Sequence, residues 1–337
     1  MSSGVSALSG HRVGNFSQTP LVRRRSLVEV IVKPGKRVGG NIADEEYDSA
    51  QASNTGHSAP VGGKRTTLDA DLLGHRRPRD PINPNMPNVA RMYDYFLGGN
   101  DNLAADRAAA EEALKLNPNA RECARANRAF LGRAVRFLAE RGVRQFLDIG
   151  SGLPAVGNVH QVAQAVMPDA RTVYVDHDAV VLCHGRALLA TDEHTIVVEA
   201  DMRDPATILE CAAERLDFSE PVAVLLVASL HFVLPEEDPY GIVRYLMGGT
   251  APGSYLVVSH VLRTETTVRA VAAYARASAP VALRSEEEIA GFFEAVGAEL
   301  VEPGLVRVPL WRPEMAVGLA ALDAARVDFV GGVGWRP

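Results

Sequence analysis

Between Arg144 and Ser259 the chain alternates short runs of β-branched and apolar residues with longer segments whose apolar positions recur every three or four residues. The runs Gln145–Ile149, Thr172–Val175, Thr195–Glu199, Val222–Val227 and Tyr255–Ser259 predict strands. The segments near 158–166, 178–190, 204–214 and 239–247 predict the helices between them. Strands that are apolar almost throughout bury both faces, which is the pattern of a parallel sheet covered by helices on either side. Further on, Ser285 and Glu288 form a capping-box pair that opens a helix to Val296. Weaker strand patterns lie near 298–302 and 326–331. The expected fold is α/β, a seven-stranded, mostly parallel sheet with helices on both faces.

Upstream of Arg144 only helical periodicity occurs. Asn88–Leu97 reads as a short helix ended by Gly98 and Gly99, because glycine accepts the left-handed conformation found at helix C-termini. Asn100 or Asp101 is placed to cap a second helix, Leu103–Leu116, which Asn117-Pro118 stops. A third runs from about Ala120 to Arg141, with Cys123, Phe130, Ala134, Phe137 and Leu138 near helical spacing. Residues 1–80 lack any such pattern and are rich in Gly, Ser, Asn, Arg and Pro. They hold about 12 basic and 8 acidic residues in a chain of net charge −6, so a basic segment precedes an acidic body. The expected organisation is a flexible basic arm (1–83), a helical cap or lid (84–143) and an α/β core (144–337).

Composition narrows the function. Cys123, Cys183 and Cys211 are scattered and form no CxxC, so neither a disulfide framework nor a metal site is expected. The longest apolar run, Val222–Val233, is interrupted by Ser229 and His231 and is far short of a membrane span. Arg23–Arg25 before Leu27–Val30 is similar to a twin-arginine export signal, but the apolar stretch is short and contains Glu29, so a cytoplasmic protein is expected. No aromatic residues interleave with the arginines at 23–25 and 76–79, so no nucleic-acid partner is expected.

In open α/β sheets the ligand lies beyond the carboxyl ends of the strands. The first such loop reads Asp148-Ile-Gly150-Ser151-Gly152-Leu-Pro154, where the glycines let backbone approach a ligand closely. Asp176 ends the second strand, where a carboxylate can accept ribose hydroxyls. Asp201 follows the third, where it could accept an adenine amine; Asp178 and Asp204 read as helix caps. A dinucleotide fold needs a glycine-rich turn opening straight into a helix for its pyrophosphate. Here an acid precedes the first glycine and Pro154 stands where a third would be useful. An acidic loop suits a ligand that carries an ammonium and a sulfonium, as S-adenosylmethionine (SAM) does.

Asp148-x-Gly150-x-Gly152, Asp176 and Asp201 resemble the successive SAM-binding motifs of class I, Rossmann-like methyltransferases. Further runs are similar to a largely actinobacterial family of SAM-dependent methyltransferases with unassigned substrates. They are 90–99 (ARMYDYFLGG) with Asn102, 126–131 (ANRAFL), 145–154 (QFLDIGSGLP) with 157–160 (GNVH), and 174–178 (YVDHD). Arg284-Ser285 with Glu287-Glu288, 301–305 (VEPGL) and Trp311-Arg312-Pro313 complete the set. The resemblance covers about residues 84–337. It implies a seven-stranded methyltransferase sheet with an N-terminal helical lid. It also implies that Gly150, Ser151 and Gly152 line the methionine part of SAM, that Asp176 binds the ribose and that His177 flanks the adenine. Asp201 and the Met202 backbone would read the adenine edge, with Arg91, Tyr93, Asn158 and Ser229 completing the cofactor site.

His231, just past the fourth strand, lies where this fold places the transferable methyl, and a neutral imidazole there could take a proton from an acceptor. His260 past the fifth strand is a weaker candidate for the same role. Displacement on an activated sulfonium also proceeds by positioning and desolvation alone. The expected function is methyl transfer from SAM to a small-molecule acceptor; the alternative is a non-catalytic SAM-binding regulatory protein, whose pocket Tyr93 or Phe232 would close. Acceptor identity and oligomeric state are not encoded in any motif.

Overall fold

The computed structural model describes residues 83–314 and 317–337. The expected arm, up to residue 82, lies outside the described residues. Strands β1 (Gln145–Ile149), β2 (Arg171–Asp176), β3 (Thr195–Glu199), β4 (Ala223–Val227) and β5 (Tyr255–Val261) pair in parallel in the order β3-β2-β1-β4-β5. Chain reversal in strand order falls between β1 and β4, so the β1 loop opens into the crevice where such sheets bind ligands. The sheet is closed off by β8 (Phe329–Trp335), antiparallel to β5 and flanked by two-residue strands β6 (Glu299–Leu300) and β7 (Val306–Arg307).

Eight strands are thus present rather than seven, and the last lies later than its pattern predicts. Its sequence, FVGGVGW, has glycines where a strand pattern calls for bulk. The reason is close packing. A Cβ on Gly331 would stand 2.9 Å from the Phe130 ring, and one on Gly334 would stand 2.7 Å from Phe293. Large side chains from both helical layers occupy the space that β8 leaves empty.

Side chains alternate between two cores, as period-2 geometry demands. On one face Leu147, Ile149, Val173, Val175, Val224 and Leu226 pack with Ile242, Leu246, Ile289 and Phe292 of α7 (Pro239–Gly248) and α9 (Glu286–Glu294). On the other, Phe146, Tyr174, Leu225 and Val257 pack with Phe130, Ala134 and Leu138 of α3 (Ala120–Glu140). Asp148 shares the parity of Phe146 and is therefore carried toward α3. The predicted helices recur as α4 (Val159–Gln164), α5 (Ala179–Leu188) and α6 (Pro205–Ala212) besides α7 and α9. Asp178, Asp204 and Ser285 cap α5, α6 and α9 through their side-chain oxygens. The helices α8 (Glu265–Val271) and α10 (Val317–Ala324) were not signalled by periodicity.

The N-terminal helices are α1 (Val89–Leu97) and α2 (Ala104–Leu116). Neither Asn100 nor Asp101 caps α2; Leu103 holds that position, and Asp106 reaches back 2.7 Å to its N–H. Helices α1 and α2 form a small core of their own, with Met92, Phe96, Ala110 and Ala113 against Ala124 and Tyr274. Helix α3 packs on the sheet as part of its covering layer. Among the described residues no helix is long and apolar enough to cross a membrane.

Candidate active site

A cavity of about 290 Å³ lies at the carboxyl ends of β1, β2 and β4, between the sheet and α1, α3 and α8. Its floor is the β1 loop. Gly150 (φ 74°) and Gly152 (φ 65°) both take the left-handed conformation. A Cβ on Gly150 would meet the Ser229 Cβ at 2.7 Å, whereas one on Gly152 would face open space. The first glycine lets two loops touch, and the second leaves room for a ligand. The Gly152 N–H donates to Asp176 Oδ2 at 3.0 Å, and the N–H groups of His177 and Asp178 donate to Oδ1 at 2.8 and 3.0 Å. A carboxylate has about four lone-pair sites, so Asp176 retains one for a ribose hydroxyl rather than the two expected.

Asp148 is buried in the cavity wall. Desolvation pushes its carboxyl up to about 7, helped by Asp176 and opposed by the Arg128 guanidinium. Burial also raises Asp176 above the usual carboxylate range, against the pull of its backbone N–H donors. Two buried acids that resist ionisation are what a bound cation would relieve.

At the far wall β4 ends in Ala228, held at φ 55° in the left-handed region that costs a non-glycine residue about 1–2 kcal/mol. Its N–H donates to both the carbonyl and the Oγ of Ser259, at 3.1 and 3.0 Å. This turn aims Ser229 and His231 into the cavity. Both are buried, and among the described residues Ser229 Oγ and His231 Nδ1 have no hydrogen-bond partner. Burial, with Arg284 nearby, pulls the His231 imidazole down to about 3. A general base works best with a pKa near the operating pH, so the expected proton-taking role of His231 is opposed by its surroundings. His260 is committed elsewhere: its Nδ1 lies 2.7 Å from the Val261 carbonyl and its Nε2 2.9 Å from Arg284 Nη1.

The structure brings Tyr93, Gly150, Ser151, Gly152, Asp176, His177, Met202, Ser229 and His231 to one cavity wall. Three expected site residues are not on that wall. Arg91 is buried in an ion pair with Asp106 at 2.7 Å and donates to the Met86 carbonyl, tying α1 to α2. Asn158 caps α4, its Oδ1 accepting from Arg128 and the Ala155 N–H. Asp201 is turned onto Arg203, accepting from its backbone N–H at 2.9 Å and its guanidinium at 3.1 Å. Although partial burial works against ionisation, these bonds hold Asp201 below the usual carboxylate range. Arg91 and Asn158 are thus held by partners within the chain, while Asp201 engages Arg203 through Oδ1.

Asn127 was missed. It donates to Tyr93 Oη at 3.0 Å, accepts from Ser259 Oγ at 2.5 Å, and so links α1 through α3 to β5 and the Ala228 turn. Its signal was available: Asn127 is a polar residue between Cys123, Phe130 and Ala134 on the apolar stripe of α3.

A mostly parallel α/β sheet with a cavity at its switch point and two buried acids on the wall is compatible with a SAM-binding methyltransferase. The S-adenosyl methyltransferase family model matches residues 75–337, and the chain belongs to that family. It is similar to a DUF574-family protein from Streptomyces avermitilis, 41% identical over 76% of this chain and 100% of that one, with a TM-score of 0.72. A proposed methyltransferase from Thermobifida fusca is 44% identical over 75% of this chain and 96% of its own, with a TM-score of 0.69. No curated protein matches the sequence. The protein is a SAM-dependent methyltransferase, and SAM is its methyl donor. Nothing favours the non-catalytic alternative: Tyr93 and Phe232 line the cavity without closing it.

Proposed function

We propose that the cavity is the reaction chamber and that its acceptor is a small molecule admitted beneath α1 and α2. The observation that carries this reading is continuity: one cavity is lined by the β1 loop, by Ser229 and His231, and by the α1–α3 helices. Ligand sites commonly span roughly 300–1,000 Å³, and about 290 Å³ is at the small end. That size favours a metabolite over a protein or nucleic-acid chain.

SAM supplies a methyl group on a positively charged sulfur. The residues present fit it: Asp148 would stabilise the cation, Asp176 keeps a lone pair that would take a ribose hydroxyl, and Gly152 leaves open space beside them. His177 and Met202 would contact the adenine. The α1–α2 pair acts as a cap. It is tied to the cofactor side by Asn88 Nδ2 donating to Asp178 Oδ2 at 2.5 Å and by His184 standing 3.6 Å from Asp101. It is tied to the segment after α8 by the Val89 N–H donating to Ser278 Oγ at 3.1 Å. Such polar ties can open and re-form, letting ligands in and then excluding water from the reacting centre.

Calorimetric titration with SAM, followed by screening a metabolite extract for S-adenosylhomocysteine release, tests the reading. Asp176→Ala should weaken SAM binding on the order of 10- to 100-fold, the worth of a charge-assisted hydrogen bond. Unchanged binding in that variant would place the cofactor elsewhere.

A further inference from the structure

The turn that carries Ser229 and His231 is built on a buried cation. Arg284 is 4% exposed. Its Nη1 donates to the Leu230 carbonyl at 3.0 Å and meets His260 Nε2 at 2.9 Å, while Nη2 donates to the Val233 carbonyl at 2.9 Å. All three partners are neutral. Glu288, four residues on, pairs with Arg263 at 3.2 Å instead, and among the described residues no carboxylate forms an ion pair with Arg284. The guanidinium also lies over the ring of the buried Phe292, 5.5 Å from its centroid. Glu288 and Tyr240 attract it only at longer range; a buried charge without a close counter-ion is unfavourable, and an anion placed nearby relieves it.

The groups between Arg284 and the cavity are disposed toward such an anion. His231 packs at 4.3 Å from Phe232, 5.5 Å from His260 and 5.9 Å from Phe329, all neutral rings. Its own Nδ1 and the Ser229 hydroxyl are buried and, among the described residues, unpartnered. The acids on the cavity wall are otherwise engaged. Asp148 and Asp176 belong to the cofactor end, Asp94 accepts from Asn102 and the Asp101 N–H, and Asp328 pairs with Arg307 at 3.3 Å. Around Ser229 and His231 the wall is largely apolar, with Phe232, Val261, Val271, Val281 and Phe329; the Arg203 guanidinium, which donates to the Phe232 carbonyl, is neutralised by Asp201 and Glu237.

We infer that the acceptor is an organic acid ionised at neutral pH, a carboxylate or an acidic hydroxyl on an apolar body, held by Ser229 and His231 against the field of Arg284. This rests on the cavity being the reaction chamber. An oxyanion brings its own nucleophilic lone pair, so a neutral His231 that resists protonation has no proton to take. The acceptor oxygen forms the new O–CH3 bond as the sulfur–methyl bond breaks with its electron pair left on sulfur. One negative and one positive charge become a neutral ester or ether and a neutral thioether, and no proton is released. A neutral alcohol would instead have to shed a proton, and neither Ser229 nor His231 is disposed to take it.

The test uses the full chain saturated with S-adenosylhomocysteine and reads binding, not turnover. Calorimetry compares matched acids and alcohols of graded size, beginning with benzoate against benzyl alcohol. 4-Nitrophenol, whose visible absorbance reports its ionisation, serves as a second probe. The acids should bind at least tenfold more tightly than their alcohols, and bound nitrophenol should ionise at a pH about one unit or more below its free value, tenfold in the equilibrium. Ser229→Ala and His231→Phe should each reduce that preference. Arg284→Met should abolish it and Arg284→Lys should keep it; if Arg284→Met does not fold, the acid–alcohol comparison in the unaltered protein decides. Equal affinity for acids and alcohols, or binding by no acid, overturns the inference. If S-adenosylhomocysteine binding itself is untouched by Asp176→Ala, the chamber assignment has failed instead, and the two failures are told apart.

Discussion

Replacing Asp148 with asparagine tests the electrostatic basis of SAM recognition most directly. Burial raises this carboxyl from an ordinary 3.8 to about 7. Each tenfold change in acidity is worth about 1.4 kcal/mol, so ionising Asp148 in the empty cavity costs roughly 4 kcal/mol relative to the unfolded chain. The sign follows from the raised value. Below pH 3.8 the carboxyl is neutral in both states and costs nothing; the penalty grows as pH rises and is complete above about 7. Asp148→Asn, equally polar but uncharged, should therefore raise the melting temperature of the ligand-free protein by several degrees at pH 8 and by much less at pH 5. Binding should respond in the opposite sense. SAM presents a permanent cation, which prefers the ionised carboxylate, so affinity in the unaltered protein should climb about tenfold per pH unit up to 7 and then level. Between pH 5.5 and 8 the gain is about thirtyfold, or roughly 2 kcal/mol. Proton release on binding should be visible as a buffer-dependent heat below pH 7. Asp148→Asn should bind SAM with a flat pH profile near the weak, low-pH affinity. A variant that is no more stable at pH 8, or that keeps the pH slope, would refute the argument and place the titrating group elsewhere.

Gly150→Ala forces an alanine to φ 74° with its Cβ 2.7 Å from that of Ser229; the protein should lose at least about 1–2 kcal/mol in urea unfolding, the cost of the left-handed conformation alone, and SAM binding should weaken as the loop shifts, so an unchanged stability would show that the loop yields without strain. Asn88→Ala removes both the cap on α1, where Oδ1 accepts the Arg91 N–H at 3.0 Å, and the tie to Asp178. Hydrogen exchange should quicken across residues 89–97 by roughly five- to thirtyfold, about 1–2 kcal/mol, with the β1 and β4 amides unchanged; a uniform change would mean that α1 opens only with the whole fold. Gly331→Val drives a side chain into the Phe130 ring and should destabilise the protein by about 1–3 kcal/mol in urea unfolding; a neutral effect would show that the α3 layer yields easily.

The hydrophobic pattern alone determined the parallel half of the sheet. Val173, Val175, Val224 and Leu226 had to be covered on both sides, and their spacing left room only for helices between. The first two ligand elements were equally local, because Gly150 and Gly152 follow β1 and Asp176 ends β2 within single short runs. What local pattern could not decide was the competition for polar groups. Arg91, Asn158 and Asp201 read as ligands in sequence, yet in space Asp106 and Arg128 hold the first two and Arg203 engages Oδ1 of the third. Nor could it decide burial. The same imidazole is a plausible base in a loop and a neutral ring once Phe232, Phe329 and Arg284 enclose it. Strand β8 shows the limit most clearly, since its glycines carry no strand signal and make sense only against Phe130 and Phe293, which lie 201 and 41 residues from Gly331 and Gly334 along the chain. Periodicity records which faces are covered; only packing brings distant residues close enough to decide which partner covers them.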